Sequence, residues 1–279
     1  MPRITVPELI AKKAKREKLV ALTAYDAPFA RLGDEAGADL LLVGDSVAMT
    51  VLGHENTLSV TMDEMLHHSR AVARGSNRAH VVFDMPFMSY QASANEAMRN
   101  AGRALKEGGA QSVKFEGGVR YAGLVARLVD AGVPVMGHIG LGPQSVNTIG
   151  GYKAQGTDPQ SADRVLEDAH ALAEAGVWGM VLERVPSELA ALVTREVPVP
   201  TVGIAAGPDC DGQVQVMHDL LGLDERFRPR HAGEYATLAG TIRAAFAAYA
   251  ADVRAGTFPE PRHGVQASDI LRAHLRNFD

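Results

Sequence analysis

One cysteine, Cys210, occurs among 279 residues. No intrachain disulfide framework can form, and the chain reads as one suited to a reducing compartment. No apolar run approaches the roughly 20 residues that a membrane helix requires. The N-terminal region lacks a sustained apolar stretch before its charges, so no signal peptide is visible. The net charge is a modest −5. The one basic cluster, Lys12 to Lys18, is interrupted by Glu17 and reads as a solvated helix face rather than a nucleic-acid site. No self-similar repeat and no low-complexity linker divides the chain. These absences lead us to expect a cytoplasmic protein with no membrane or nucleic-acid partner. What is present is 46% apolar content, enough for a large core. (β/α)8 barrels commonly reach this length, so we expect one domain over 1–279.

Six apolar runs each end on a residue that can bind metal or move protons: Asp26 after LVALTAY, Asp45 after LLLVG, Asp84 after HVVF, Glu116 after SVKF, His138 after VPVMG and Glu183 after WGMVL. Helical stretches lie between them, giving an alternation of strand and helix. In a parallel barrel every strand aims its C-terminal end at one face, so residues distant in sequence share a mouth. Crowded buried carboxylates repel unless a cation sits among them, and three acids with one histidine suggest a divalent metal. A doubly wound open sheet is the competing architecture. It offers a site to only a few strands, whereas here six consecutive strands end in polar groups.

The spacing predicts strands at 19–25, 40–44, 81–83, 112–115, 133–137, 179–182 and 200–204. Helices are predicted at 28–35, from Thr61 to near Gly75, and at 93–106, 122–130, 161–174, 187–194 and 237–254. Thr61 and Glu64 have the spacing of a capping box. An eighth strand is hardest to place, and only the neighbourhood of Phe227 to Ala232 is available for it. The N-terminus reads as a short helix and the C-terminus as an appended tail or short helix.

Each chemical residue has a structural alternative. Asp45 follows Gly44, which permits a tight turn into the mouth, but an Asp there also suits a helix cap. Asp84 precedes Met85-Pro86, which keeps it in a loop at the strand terminus. Strand alternation puts Lys114 and Glu116 on one side, where they need a ligand, another ion or a mutual salt bridge. His138 is flanked by glycine and small residues and is a weak signal alone. Glu183 suits either chemistry or a local ion pair or cap. The run GIAAG, 203–207, lies where barrels often bind anions through backbone amides, and tight-turn packing explains it equally. Asp26 is a candidate for supporting the site from outside it. His67 and His68 are adjacent on a helix and cannot share a face, so no zinc site is expected there.

The runs TAYDAPFA, LLLVGDSVAMTVLGHENTLSVTMDEM, DMPFMSYQ, VKFEGG, GHIGLGPQSVNTIGGYKAQG, VLERVP and GQVQVMHDLLGL resemble the ketopantoate (3-methyl-2-oxobutanoate) hydroxymethyltransferase family of the phosphoenolpyruvate/pyruvate barrel superfamily. The resemblance extends from about Arg3 to Gly264. One departure is Ala205, where the family's GIGAG turn carries a glycine. The resemblance implies a (β/α)8 TIM-type barrel and a transferase of pantothenate biosynthesis. It also implies one Mg²⁺ per subunit on Asp45, Asp84 and Glu116, although Mn²⁺ or Co²⁺ also suit oxygen ligands. The substrate, 3-methyl-2-oxobutanoate, would be bound by Asp45, Ser46, Asp84, Lys114 and His138, and Glu183 would be the general base. The co-substrate would be 5,10-methylenetetrahydrofolate, and the assembly a homo-oligomer, a homodecamer by resemblance. Two other classes fit less well. Carbon–carbon lyases of the superfamily usually carry a cysteine in a KKCGH-like loop, which is missing here. A non-catalytic keto-acid sensor would have no use for Glu183.

Overall fold

In the computed structural model, which describes residues 2–225 and 229–278, eight parallel strands close into a barrel in sequence order. They are β1 (Leu19–Thr23), β2 (Leu40–Val43), β3 (His80–Asp84), β4 (Ser112–Glu116), β5 (Val135–Gly140), β6 (Gly179–Glu183), β7 (Thr201–Ile204) and β8 (Gly212–Gln215). Pairing of β1 with β8 closes the ring and decides against an open sheet. Every residue of β3 and β4 is buried, as expected of strands covered on both faces.

The helices of this unit are α1 (Val6–Lys15), α2 (Ala27–Glu35), α3 (Val47–Thr50), α4 (Met62–Gly75), α5 (Ala94–Lys106), α6 (Val119–Asp130), α7 (Val146–Ile149), α8 (Pro159–Glu174), α9 (Ser187–Glu196) and α10 (Met217–Leu220). The Thr61–Glu64 capping box starts α4 as the spacing predicts. Asp26 turns out to be the N-cap of α2: its Oδ1 accepts from Phe29 N–H at 2.9 Å, which accounts for an acid at that strand end without any role in the site.

The eighth strand differs from expectation. It is Gly212–Gln215, not the neighbourhood of Phe227 to Ala232, of which 226–228 lie outside the described residues. The reason is the β7–β8 connection, residues 205–211, which is too short to hold a helix. Asp211 secures it: its Oδ2 accepts from Thr201 N–H at 2.9 Å and lies 2.7 Å from Lys13 Nζ. Strand β5 also runs further than expected, because Ile139 and Gly140 pair with Leu182 and Glu183. His138 therefore sits inside a strand, its direction fixed by the ladder.

The two ends of the barrel differ in chemistry. At the N-terminal end Leu19, Ala21, Leu40, Val82, Met136, Val181, Val202 and Val214 pack together, with Leu9 of α1 and Trp178 in the same cluster. Alternation along β3, β4 and β5 then carries the next inward positions, Asp84, Lys114, Glu116 and His138, toward the opposite end. The apolar plug holds the strands in register beneath a polar mouth.

One polar pair lies near the plug. His80 Nε2 is 2.9 Å from Ser112 Oγ and Nδ1 is 3.0 Å from the carbonyl of Ile4. Burial lowers the His80 pKa from 6.5 to about 4. The folded state thus resists a proton that the unfolded chain accepts, so this stabilising contribution is present above pH 6.5 and lost as pH falls through the window down to about 4. Relative to His80→Gln, the wild type is expected to lose about 3 kcal/mol between pH 7 and pH 4. Denaturant titrations of both proteins at the two pH values check this, and a pH-independent difference would mean that His80 does not titrate in that window.

A second compact unit comprises 221–228 and 234–279. It contains α11 (Leu238–Ala255) and α12 (Asp269–Leu275). Neither helix buries a residue, and Phe246 on α11 is 70% exposed. Among the described residues no helix is long and apolar enough to cross a membrane.

Candidate active site

The C-terminal ends of β2 to β6 bring six of the seven residues singled out from sequence into one polar network, with Ser46 beside it. Asp84, Glu116 and Glu183 are the last residues of their strands, and Asp45 lies two residues beyond β2. Asp45, Asp84, Lys114, Glu116 and His138 are all buried. The Asp45 N–H donates to Asp84 Oδ2 at 3.1 Å. The capping alternative for Asp45 fails, because the N-cap of α3 is Ser46. Ser46 instead turns its hydroxyl to Tyr25 Oη at 2.8 Å. Gly44 leaves room for the serine hydroxyl: a Cβ there would stand 2.9 Å from Ser46 Oγ.

Lys114 is the central cation. Its Nζ lies 2.8 Å from Asp84 Oδ1, so the salt bridge considered for Lys114 and Glu116 is made across strands to Asp84. Burial works against the ammonium, but Asp84, Glu116 and Asp45 outweigh it and hold its pKa above the ordinary lysine value. Lys114 Nζ is also 2.9 Å from His138 Nδ1. An ammonium has only protons to offer, so Nδ1 is the acceptor and the neutral ring carries its proton on Nε2. Burial and then Lys114 lower the His138 pKa, which keeps the ring neutral. Its Nε2 faces Glu183 Oε2 at 3.2 Å. Glu183 is less enclosed, with 18% of its side chain exposed, and stands at the edge of the network. No cap is built from it, because the N-cap of α9 is Pro186.

The acids outnumber their cation. Burial, then repulsion from Asp84, pushes Asp45 up to about 7. Burial and Asp45 raise Glu116 well above the usual carboxylate range. Glu116 Oε1 is buried without a hydrogen-bond partner, which is costly unless something else meets it. Three carboxylates against one ammonium leave two formal negative charges in a pocket of hard oxygen donors, the chemistry of a divalent cation. In donor type and charge the residues fit such an ion. As they stand, no three His, Cys, Asp or Glu side chains among the described residues converge closely enough to clasp one.

Sequence reasoning missed three groups. Gln144, in the turn after β5, is buried and bonded to Asp45 and Glu116. Tyr90 Oη reaches Gln144 Oε1 at 2.9 Å. His231 lies close enough to Glu183 to feel its charge, although burial outweighs that attraction and lowers its pKa. Gln144 falls within the GHIGLGPQS run, but a neutral amide in a loop carries no charge or periodicity to single it out. The GIAAG turn holds Ala205 at φ 53°, a left-handed conformation in which glycine would be at ease. Its methyl group is accommodated, and Ile204 of the same run pairs with Glu183 in the β6–β7 ladder.

Comparison with known proteins agrees with this geometry. The model of the ketopantoate hydroxymethyltransferase family matches residues 3–261. The 3-methyl-2-oxobutanoate hydroxymethyltransferase of Syntrophobacter fumaroxidans is 58% identical, over 99% of this chain and 98% of that relative. The protein of the same name from Carboxydothermus hydrogenoformans is 55% identical, over 97% of this chain and 99% of that relative. Among solved structures, phosphonopyruvate hydrolase with oxalate and Mg²⁺ superposes with a TM-score of 0.62 at 13% identity, covering 99% of this chain and 96% of that one. A phosphoenolpyruvate phosphomutase from Streptomyces platensis subsp. rosaceus gives 0.62 at 17%, covering 99% and 97%. Those two structures bear on the fold alone. With the barrel closed, its polar mouth assembled and the family model matched almost end to end, the chain belongs to the ketopantoate hydroxymethyltransferase family.

Proposed function

We propose that the protein is a 3-methyl-2-oxobutanoate hydroxymethyltransferase, which moves the one-carbon unit of 5,10-methylenetetrahydrofolate to C3 of 3-methyl-2-oxobutanoate and, with one water consumed, yields 2-dehydropantoate and tetrahydrofolate for pantothenate synthesis. The observation that carries it is the pairing of three buried, undercompensated acids with a separate carboxylate, Glu183, at the edge of the same mouth. Asp45, Asp84 and Glu116 would hold one Mg²⁺. When bound, the ion supplies Lewis-acid polarisation of the keto acid's oxygens and so acidifies C3–H.

The remaining work falls to side chains. Lys114 stays charged among the acids and offers an ammonium to negative charge developing on the substrate oxygen. Ser46 and the amide region of Asp45 bind the substrate. Glu183 takes the C3 proton as general base. His138 would help bind the substrate through Nε2–H, a buried donor without a hydrogen-bond partner beside Glu183, and has no proton to spare on the side facing Lys114. The single cysteine, Cys210, is buried and takes no part.

We assign the whole of 1–279 to one catalytic domain and the setting to the cytoplasm, with small molecules as partners. The uncovered apolar residues of α11 support a homo-oligomer, a homodecamer by family resemblance.

The test is turnover. With Mg²⁺, 3-methyl-2-oxobutanoate and 5,10-methylenetetrahydrofolate, the purified protein is expected to form 2-dehydropantoate and to leave isocitrate and methylisocitrate uncleaved. Cleavage of either acid without formation of 2-dehydropantoate would make it a lyase. A keto-acid sensor would do neither, yet would gain thermal stability from the keto acid.

A further inference from the structure

Gln144 makes five hydrogen bonds at once, to five different residues. Its side-chain Nε2 donates to Asp45 Oδ2 at 3.0 Å and to the carbonyl of Met85 at 2.9 Å. Its Oε1 accepts from Tyr90 Oη at 2.9 Å and from Gln91 Nε2 at 3.1 Å. Its backbone N–H donates to Glu116 Oε2 at 3.0 Å. The amide orientation is unambiguous, because one end meets only acceptors and the other meets groups with protons to give. Both acids therefore lose one oxygen to the same residue, and each keeps its other oxygen for a further partner. Next door, Gly142 leaves room for this arrangement: a Cβ there would stand 2.8 Å from Glu116 Oε2.

We propose that Gln144 is a positioning residue, which anchors one oxygen each of Asp45 and Glu116 and so limits the orientations in which their other oxygens can receive the cation. The inference rests on the metal reading given above. Partners of metal ligands orient those ligands, and their loss commonly weakens affinity about 10–100-fold. A glutamate here could not replace the amide without adding a fourth carboxylate. Methionine matches the length of glutamine and removes every side-chain bond while leaving the backbone donor to Glu116 in place.

The test is Mn²⁺ affinity of the full-length protein stripped of metal, read by titration calorimetry in the absence of substrate. Gln144→Met is expected to weaken binding about 10–100-fold. Gln91→Leu, which removes one of the two donors to Gln144 Oε1 and touches no acid, is expected to weaken it about fivefold, the effect of one hydrogen bond. Because Gln91 acts through Gln144, adding Gln91→Leu to Gln144→Met is expected to cost no further affinity. A general loss of packing would instead lower the melting temperature in both variants, leave Mn²⁺ affinity unchanged and combine additively.

Wild type that binds Mn²⁺ beside a Gln144→Met variant that binds equally well overturns the inference alone. Wild type that binds no Mn²⁺ overturns the metal reading and the inference with it. Should Gln144→Met not fold, Gln91→Leu decides: affinity within twofold of wild type overturns the proposal.

Discussion

Replacing Asp84 is expected to abolish metal-dependent turnover, and the choice of replacement separates chemistry from folding. Asp84 has two roles in the network: it accepts the Asp45 N–H and it pairs with buried Lys114. Asp84→Ala removes the nearest counter-charge of an ammonium enclosed on all sides, and breaking a buried pair in this way costs about 3–5 kcal/mol. Asp84→Asn keeps the volume and an acceptor oxygen, so its folding cost is smaller. Both variants lose an anionic oxygen from the proposed metal site, so turnover is expected to fall about 10³-fold or more in each. Steady-state assays over a Mg²⁺ titration, with chemical denaturation alongside, check both halves. Wild-type turnover in Asp84→Asn, or turnover that survives exhaustive chelation in the native protein, would remove the metal from the account.

Glu183→Gln addresses the other half of the site. The amide keeps the size of the side chain and can still meet His138, but it cannot take a proton. A positioned general base contributes about 10²–10⁴-fold, so kcat is expected to fall within that range while keto-acid affinity changes little. His138 is a poor substitute: burial and Lys114 lower its pKa, and its acceptor nitrogen is already engaged. Isothermal titration with the keto acid, beside kcat, separates the two effects. An equal loss of affinity and kcat would make Glu183 a binding group instead.

The barrel was legible because strands buried on both faces are mostly apolar, and HVVF and SVKF end where the burial meets the mouth. The acids at those ends stood out for the same reason, being charges set directly after residues that cannot face water. What escaped the sequence depends on distances no spacing encodes. β8 has four residues and only one inward apolar side chain, Val214, and it follows β7 without the helix that the alternation leads one to expect. Asp26 looked like its neighbours in sequence, yet the adjacent start of α2 claims it as a cap. Lys114 was correctly set on the side of Glu116, but its partner, Asp84, comes from the next strand through the register Asp84↔Lys114. Gln144 reaches back to residues 45 and 116, a convergence that exists only once the barrel has closed.

The central claim is that this mouth removes a proton from C3 of 3-methyl-2-oxobutanoate, and that step needs no folate. The most direct measurement follows the C3–H signal by NMR in deuterated water with Mg²⁺, keto acid and protein alone. The wild type is expected to replace the proton by deuterium, while Glu183→Gln leaves the signal standing. Exchange at the wild-type rate in Glu183→Gln, or none in a wild type that binds the keto acid, would contradict the account.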